Sequence, residues 1–118
     1  MKEFILIFRN SVTEGTKPSP EQMQQLLTDW MNWMGGVAAQ DKLADKGNRL
    51  SMSEGKTVKP GNVLTDGPYT EVKEFINGYI IVKTDTIDDA VAIARECPIL
   101  NIGGNVEVRR VVSPDDNS

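Results

Sequence analysis

The chain has no histidine among its 118 residues. That absence excludes Ser-His and Cys-His nucleophile pairs and histidine-ligated metals. It also removes the side chain whose charge changes nearest neutral pH. Cysteine is almost missing too: Cys97 stands alone, so no disulfide can form within the chain. Zinc and haem are left without their ordinary ligands. No Asp, Glu, Asn and Gly run has the spacing of a calcium loop. We expect no metal and no other cofactor. Cys97 itself precedes Pro98 at the expected end of a helix, and reads as a small, partly buried thiol rather than a reactive one.

Positive charge is also short. Lys and Arg number 13 against 17 Asp and Glu, for a net charge of −4, and no basic run occurs. Nucleic acid and anionic membrane surfaces are therefore poor partners. No apolar run approaches the roughly 20 residues of a membrane span. The opening MKEFILIFRN has too short an apolar run for a signal peptide and lacks a small-residue cleavage site. These readings lead us to expect a soluble, cytoplasmic protein. Its length suits a single domain over residues 1–112 with a polar tail at 113–118, burying roughly 65% of the unfolded surface.

What is present is patterned. Residues 3–9 read as a strand with Phe4, Leu6 and Phe8 on one face and Ile5 and Ile7 on the other. A strand apolar on both faces belongs in the middle of a sheet. Ser19, Pro20 and Gln22 form a helix start: a cap, a first-turn proline and the partner of a capping box. Met23, Leu26, Leu27, Trp30, Met34 and Val37 follow at helical spacing, with Trp33 widening the stripe. Gly35-Gly36 implies either a break or a close neighbour, and the renewed apolar positions extend the predicted helix to about Asp45, ending at Gly47.

Residues 48–64 suggest two short, polar edge strands around a hairpin turn at Ser53-Glu54-Gly55-Lys56, with a second bend at Pro60-Gly61. Residues 75–83 form the next strand. Ile76, Ile80 and Val82 are expected on one face, and Phe75, Tyr79 and Ile81 on the other. Thr86 caps a last helix with Asp88 and Asp89 in its first turn; Ile87, Ala90, Val91 and Ala94 form its stripe, and Pro98 ends it. Residues 101–105 make a glycine-bearing turn, and residues 106–112 a closing strand. That strand places Val106, Val108 and Val112 with Arg110 on one face, and Glu107, Arg109 and Val111 on the other.

This order predicts an α+β, ferredoxin-like βαββαβ fold with an antiparallel sheet. Its first and third main strands are central, which suits the two segments that are apolar on both faces. Two helices cover only one face of such a sheet. The other face, carrying Ile5 and Ile7 or else Phe4, Leu6 and Phe8, needs a partner, and a homodimer through the open face follows.

Thr65-Asp66-Gly67-Pro68-Tyr69, with Glu71, Lys73 and Gly78-Tyr79, resembles the signature of YCII-related, or DGPF-domain, proteins. Asp85, Asp88-Asp89-Ala90, Ala94 through Cys97-Pro98, Glu107 and Arg109 extend the resemblance, as do Trp30, Trp33-Met34 and Leu43 in the first helix region. The resemblance implies a dimeric α+β barrel with a small-molecule cleft between sheet, first helix and DGP loop. Some relatives use a His-Asp pair as a proposed acid–base dyad. The histidine position of those relatives falls at Trp30, so that dyad does not exist here.

The candidate site residues each have a plainer reading. Asp66 before Gly67-Pro68 suits an Asx turn, and it suits a ligand-facing or acid–base role if burial or a neighbour such as Glu71 raises its pKa. Tyr69 lines a pocket or packs the core. Trp30 and Trp33 are core or cleft residues. Arg9 clamps an anionic ligand or ends a strand in solvent, while Arg109 lines the site or pairs with Glu107. Lys73 reads as a surface cation.

The ligand-binding set is thus Arg9, Trp30, Trp33, Asp66, Gly67, Pro68, Tyr69 and Arg109, with Asp66 and Tyr69 as the catalytic candidates. The favoured function is a homodimer that binds a small, partly aromatic metabolite near the DGPY loop. The alternatives are a cofactorless enzyme performing proton transfer, elimination or hydrolysis through Asp66, and a regulatory protein–protein role.

Overall fold

The computed structural model describes residues 1–11, 19–51, 53–66 and 74–116, with backbone alone at 11, 66, 74 and 75. Its elements are β1 (Lys2–Ser11), α1 (Pro20–Ala39), β2 (Leu43–Arg49), β3 (Lys56–Lys59), β4 (Val63–Asp66), β5 (Glu74–Thr84), α2 (Ile87–Ala94), a 3₁₀ turn (Pro98–Ile102) and β6 (Asn105–Arg110). Four strands form one sheet in the order β2-β5-β1-β6, and β1 is antiparallel to both of its neighbours. The fold is α+β and ferredoxin-like, with the two doubly apolar strands in the centre. No helix among the described residues is long and apolar enough to cross a membrane.

The covered face is the one carrying Phe4, Leu6 and Phe8. These three are buried with Ile80 and Val82 of β5, Trp33 and Val37 of α1, and Ala90 and Ala94 of α2. Ile5 and Ile7 therefore line the uncovered face. One register slip matters there. Phe8 pairs with Gly78 but Arg9 pairs with Ile76, so Asn77 is an extra residue in β5. Because side chains alternate, that bulge moves Ile76 off the face of Ile80 and Val82 and onto the face of Arg9. Ile76 is 42% exposed, which corrects the expectation that it shares the face of Ile80 and Val82.

The first helix begins as its sequence demands. The Ser19 hydroxyl accepts from the Gln22 N–H, the Gln22 side chain accepts from the Ser19 N–H, and Pro20 opens the first turn. It runs unbroken through Gly35-Gly36, which face open space, so neither a break nor a close neighbour explains that pair. Its end differs from expectation: α1 stops at Ala39 rather than near Asp45. Asp41 adopts the left-handed conformation, its N–H donates to the Ala38 carbonyl, and the Lys42 N–H donates to the Val37 carbonyl. This pair of bonds is a Schellman cap with aspartate at the usual glycine position.

The residues beyond that cap, expected as helix, form edge strand β2. Gly47 is not a helix terminator but part of an irregularity in that strand, with φ of 64° and a close approach to the Tyr79 carbonyl of β5.

Two further expectations need correction. The hairpin turns at Pro60-Gly61-Asn62, where Gly61 and Asn62 have positive φ, and not at residues 53–56. Its strands, β3 and β4, form a separate two-stranded sheet instead of lying along the main sheet's edge.

In α2 the Thr86 hydroxyl caps the Asp89 N–H as expected, but Ile87 is exposed and Ile93 packs on the core in its place. This helix ends at Ala94, and Pro98 instead opens the 3₁₀ turn that Gly103 closes. The closing strand ends at Arg110 rather than at residue 112. The Arg110 guanidinium then holds the Asp116 carboxylate at 2.7 Å.

Candidate functional site

The strand alternation of β1 sets the geometry at one of its ends. Phe8 points to the helices and Arg9 to the open face. On the helix side Phe8 meets two indoles edge-on, with ring centroids 4.8 Å from Trp30 and 6.0 Å from Trp33. The indoles lie 5.4 Å apart and are themselves edge-to-face. Such pairs add about 0.5–1.5 kcal/mol each beyond the area they bury. Trp33 is buried, and its Nε1–H donates to the Ile93 carbonyl at 3.1 Å, which ties α1 to α2. Trp30 is only half-buried. Trp33 thus anchors the core, and Trp30 is the indole with surface to offer. Phe8, which joins the pair, is legible from sequence only as one of three apolar residues on one face of its strand.

On the open face Arg9 and Arg109 converge on Glu107. Arg9 Nη1 pairs with Glu107 Oε1, and Arg109 Nε lies 3.7 Å from Glu107 Oε2. Glu107 sits opposite Ile7, diagonal to Arg9 and on the same face, within reach of a long side chain. Two guanidiniums share one carboxylate, so the group carries one net positive charge. Ion pairs that water still reaches contribute little to stability, roughly 0.2–1 kcal/mol. Arg9 therefore has a counter-ion, shared with Arg109, rather than ending a strand in bare solvent.

The sheet consequently divides the candidate residues. Trp30 and Trp33 lie on one side, and Arg9 and Arg109 on the other, meeting only at the Phe8–Arg9 step of β1. Asp66 ends β4 with its backbone opposite Lys56. Gly67, Pro68 and Tyr69, with Glu71 and Lys73, lie outside the described residues.

Cys97 is buried beside the helices. Burial pushes its thiol from an ordinary value of 9.0 up to about 11, with a backbone hydrogen bond from Ile99 opposing the rise. At neutral pH it remains a thiol, which makes it a poor nucleophile.

The strand order and the two helices on one face are those of a ferredoxin-like fold. Residues 4–114 match the YCII-related domain. The chain belongs to the YCII-related family. No curated protein matches it. The YCII-related match runs from Phe4 in β1 to past the end of β6, so both helices and both candidate groups fall inside the domain.

Proposed function

We propose that this YCII-related chain works as a homodimer that pairs its open sheet faces and binds a small, partly aromatic metabolite beside the DGPY segment. The observation that supports it is the open face itself. Ile5 and Ile7 of β1 lie beside Tyr79 and Ile81 of β5 in register, partly exposed, with Ile76 at the end of the row. Polar groups flank this apolar strip: Arg9, Glu107 and Arg109 toward β6, Asp45 and Asn48 toward β2. An apolar centre with a polar rim is the usual make-up of a protein–protein contact. For the ligand, the support is the half-buried Trp30 ring against Phe8, with Asp66, Gly67, Pro68 and Tyr69 as the proposed lining and Asp66 as the residue that orients the metabolite.

Sedimentation velocity tests the first half. Wild type is expected at dimer mass at micromolar concentration, and Ile7→Asp at monomer mass; a monomeric wild type overturns the dimer. Tryptophan emission during titration with benzoate and larger aromatic carboxylates tests the second. A saturable change is expected in wild type and lost in Trp30→Ala and Asp66→Asn. No saturable change across the panel defeats the ligand half.

A further inference from the structure

The open face carries its side chains in rows that run from one edge of the sheet to the other, because residues paired across strands point the same way. One row reads Asp45, Ile81, Ile5 and Arg109, from β2 through β5 and β1 to β6. The next reads Asn48, Tyr79, Ile7 and Glu107. Asn48 Nδ2 donates to the Tyr79 hydroxyl at 3.3 Å, which holds both on this face. Apolar residues thus dominate the middle of the two rows, with an acid at the β2 end of the first and a base at its β6 end. On the other side of that first row, Glu3 of β1 faces Lys83 of β5.

The two edges are not charged alike. At the β6 edge Arg9 and Arg109 share Glu107, which leaves one positive charge over. At the β2 edge Asp45 Oδ1 accepts from the Gly47 N–H at 2.7 Å, but the carboxylate pairs with no cation among the described residues. Asp45 and Arg109 are both exposed. Aligned face-to-face sheets keep their strands within about 30° of each other, so a two-fold axis between two copies has two simple directions. An axis across the strands lays β6 on β6 and sets Arg109 over Glu107, which leaves both Asp45 carboxylates without a cation. An axis along the strands, over the gap between β5 and β1, lays β6 on β2 and β1 on β5 at matching heights. Arg109 then meets Asp45, Glu3 meets Lys83 and Ile5 meets Ile81, and the two-fold makes each contact twice. Complementary charge of this kind fixes register and suppresses wrong arrangements.

We infer that the open sheet face binds a second copy of the chain about a two-fold axis parallel to the strands, with Arg109 of each subunit paired to Asp45 of the other. This inference rests on the homodimer reading, and adds the direction of the axis and the residues that select it. Both side chains are exposed, at opposite edges of the sheet and outside the core cluster, so exchanging their charges leaves the core untouched.

Asp45→Arg and Arg109→Asp each set like charges against one another at both contacts. Each is expected to raise the dimer dissociation constant about tenfold or more by sedimentation. An equimolar mixture of the two variants restores opposite charges at both contacts, so the mixed dimer is expected within about threefold of wild type. Wild-type affinity in the single variants, or a mixture no tighter than either variant alone, overturns the ion pairs while the sheet-face dimer stands. A monomeric wild type overturns both readings. A second measurement tests the axis without reversing any charge. Asp45→Cys and Arg109→Cys chains, both also carrying Cys97→Ala, are treated with a short bis-maleimide. Crosslinked dimers are expected only when the two preparations are mixed, because position 45 lies over position 109 of the other copy. No crosslink in the mixture, or a crosslink within either preparation alone, overturns the axis.

Discussion

Phe8 and Arg9 are neighbours in sequence and separated by the whole thickness of the sheet in function. One packs against two indoles, and the other shares a carboxylate with Arg109. The same logic governs Ile76, where one extra residue at Asn77 sends an isoleucine to the opposite face. Cys97 is decided by its surroundings instead. Its thiol is held neutral by burial, so the folded chain binds this proton more tightly than the unfolded chain does. The folded pKa is the raised one. Stability is therefore unaffected by this group below about 9.0, and falls as pH rises from there toward about 11. Urea midpoints across that window should fall less steeply in Cys97→Ala than in wild type. Equal slopes would show that the thiol does not contribute.

At the scale of elements, α1 and β2 show what local signals do and do not specify. The start of α1 was legible because Ser19, Pro20 and Gln22 act through bonds made within the first turn. Its end was not, because a Schellman cap carries no obligatory residue other than one that tolerates positive φ, and Asp41 is a less usual choice than glycine. The glycines themselves invert the expectation. Gly35 in the helix meets nothing, so Gly35→Ala should gain about 1 kcal/mol in urea unfolding. Gly47 in β2 is the demanding one. An added Cβ there would sit 1.6 Å from the Tyr79 carbonyl oxygen, at a positive φ. Gly47→Ala should cost about 3 kcal/mol or more, and a loss below about 1 kcal/mol would argue that β2 detaches from β5 without consequence.

At the scale of the molecule, the unequal cover of the sheet is the dominant fact. Helices α1 and α2 pack on Phe4, Leu6 and Phe8, while Ile5, Ile7, Tyr79 and Ile81 are left to solvent or to a partner. A partner that binds only folded chain stabilises it by mass action. The melting temperature should therefore rise with protein concentration through the micromolar range, and Ile7→Asp should remove that dependence. A melting temperature independent of concentration in wild type would count against the dimer.

The sequence alone determined the class of fold, the two central strands and both helix starts. Those features depend on alternation, helical spacing and hydrogen bonds between near neighbours in the chain. It also excluded histidine chemistry outright, since a missing residue needs no structure to be missed. It pointed to Trp30, Trp33, Arg9 and Arg109 as one candidate group, because residue types carry no record of which side of a sheet they occupy. Only the tertiary structure decided that the sheet divides them. The pairing of β1 with β5 and β6, the bulge at Asn77 and the separation of the β3–β4 hairpin are contacts between distant segments. Their energy comes from partners that local pattern does not contain, and so they become visible only once the chain is folded.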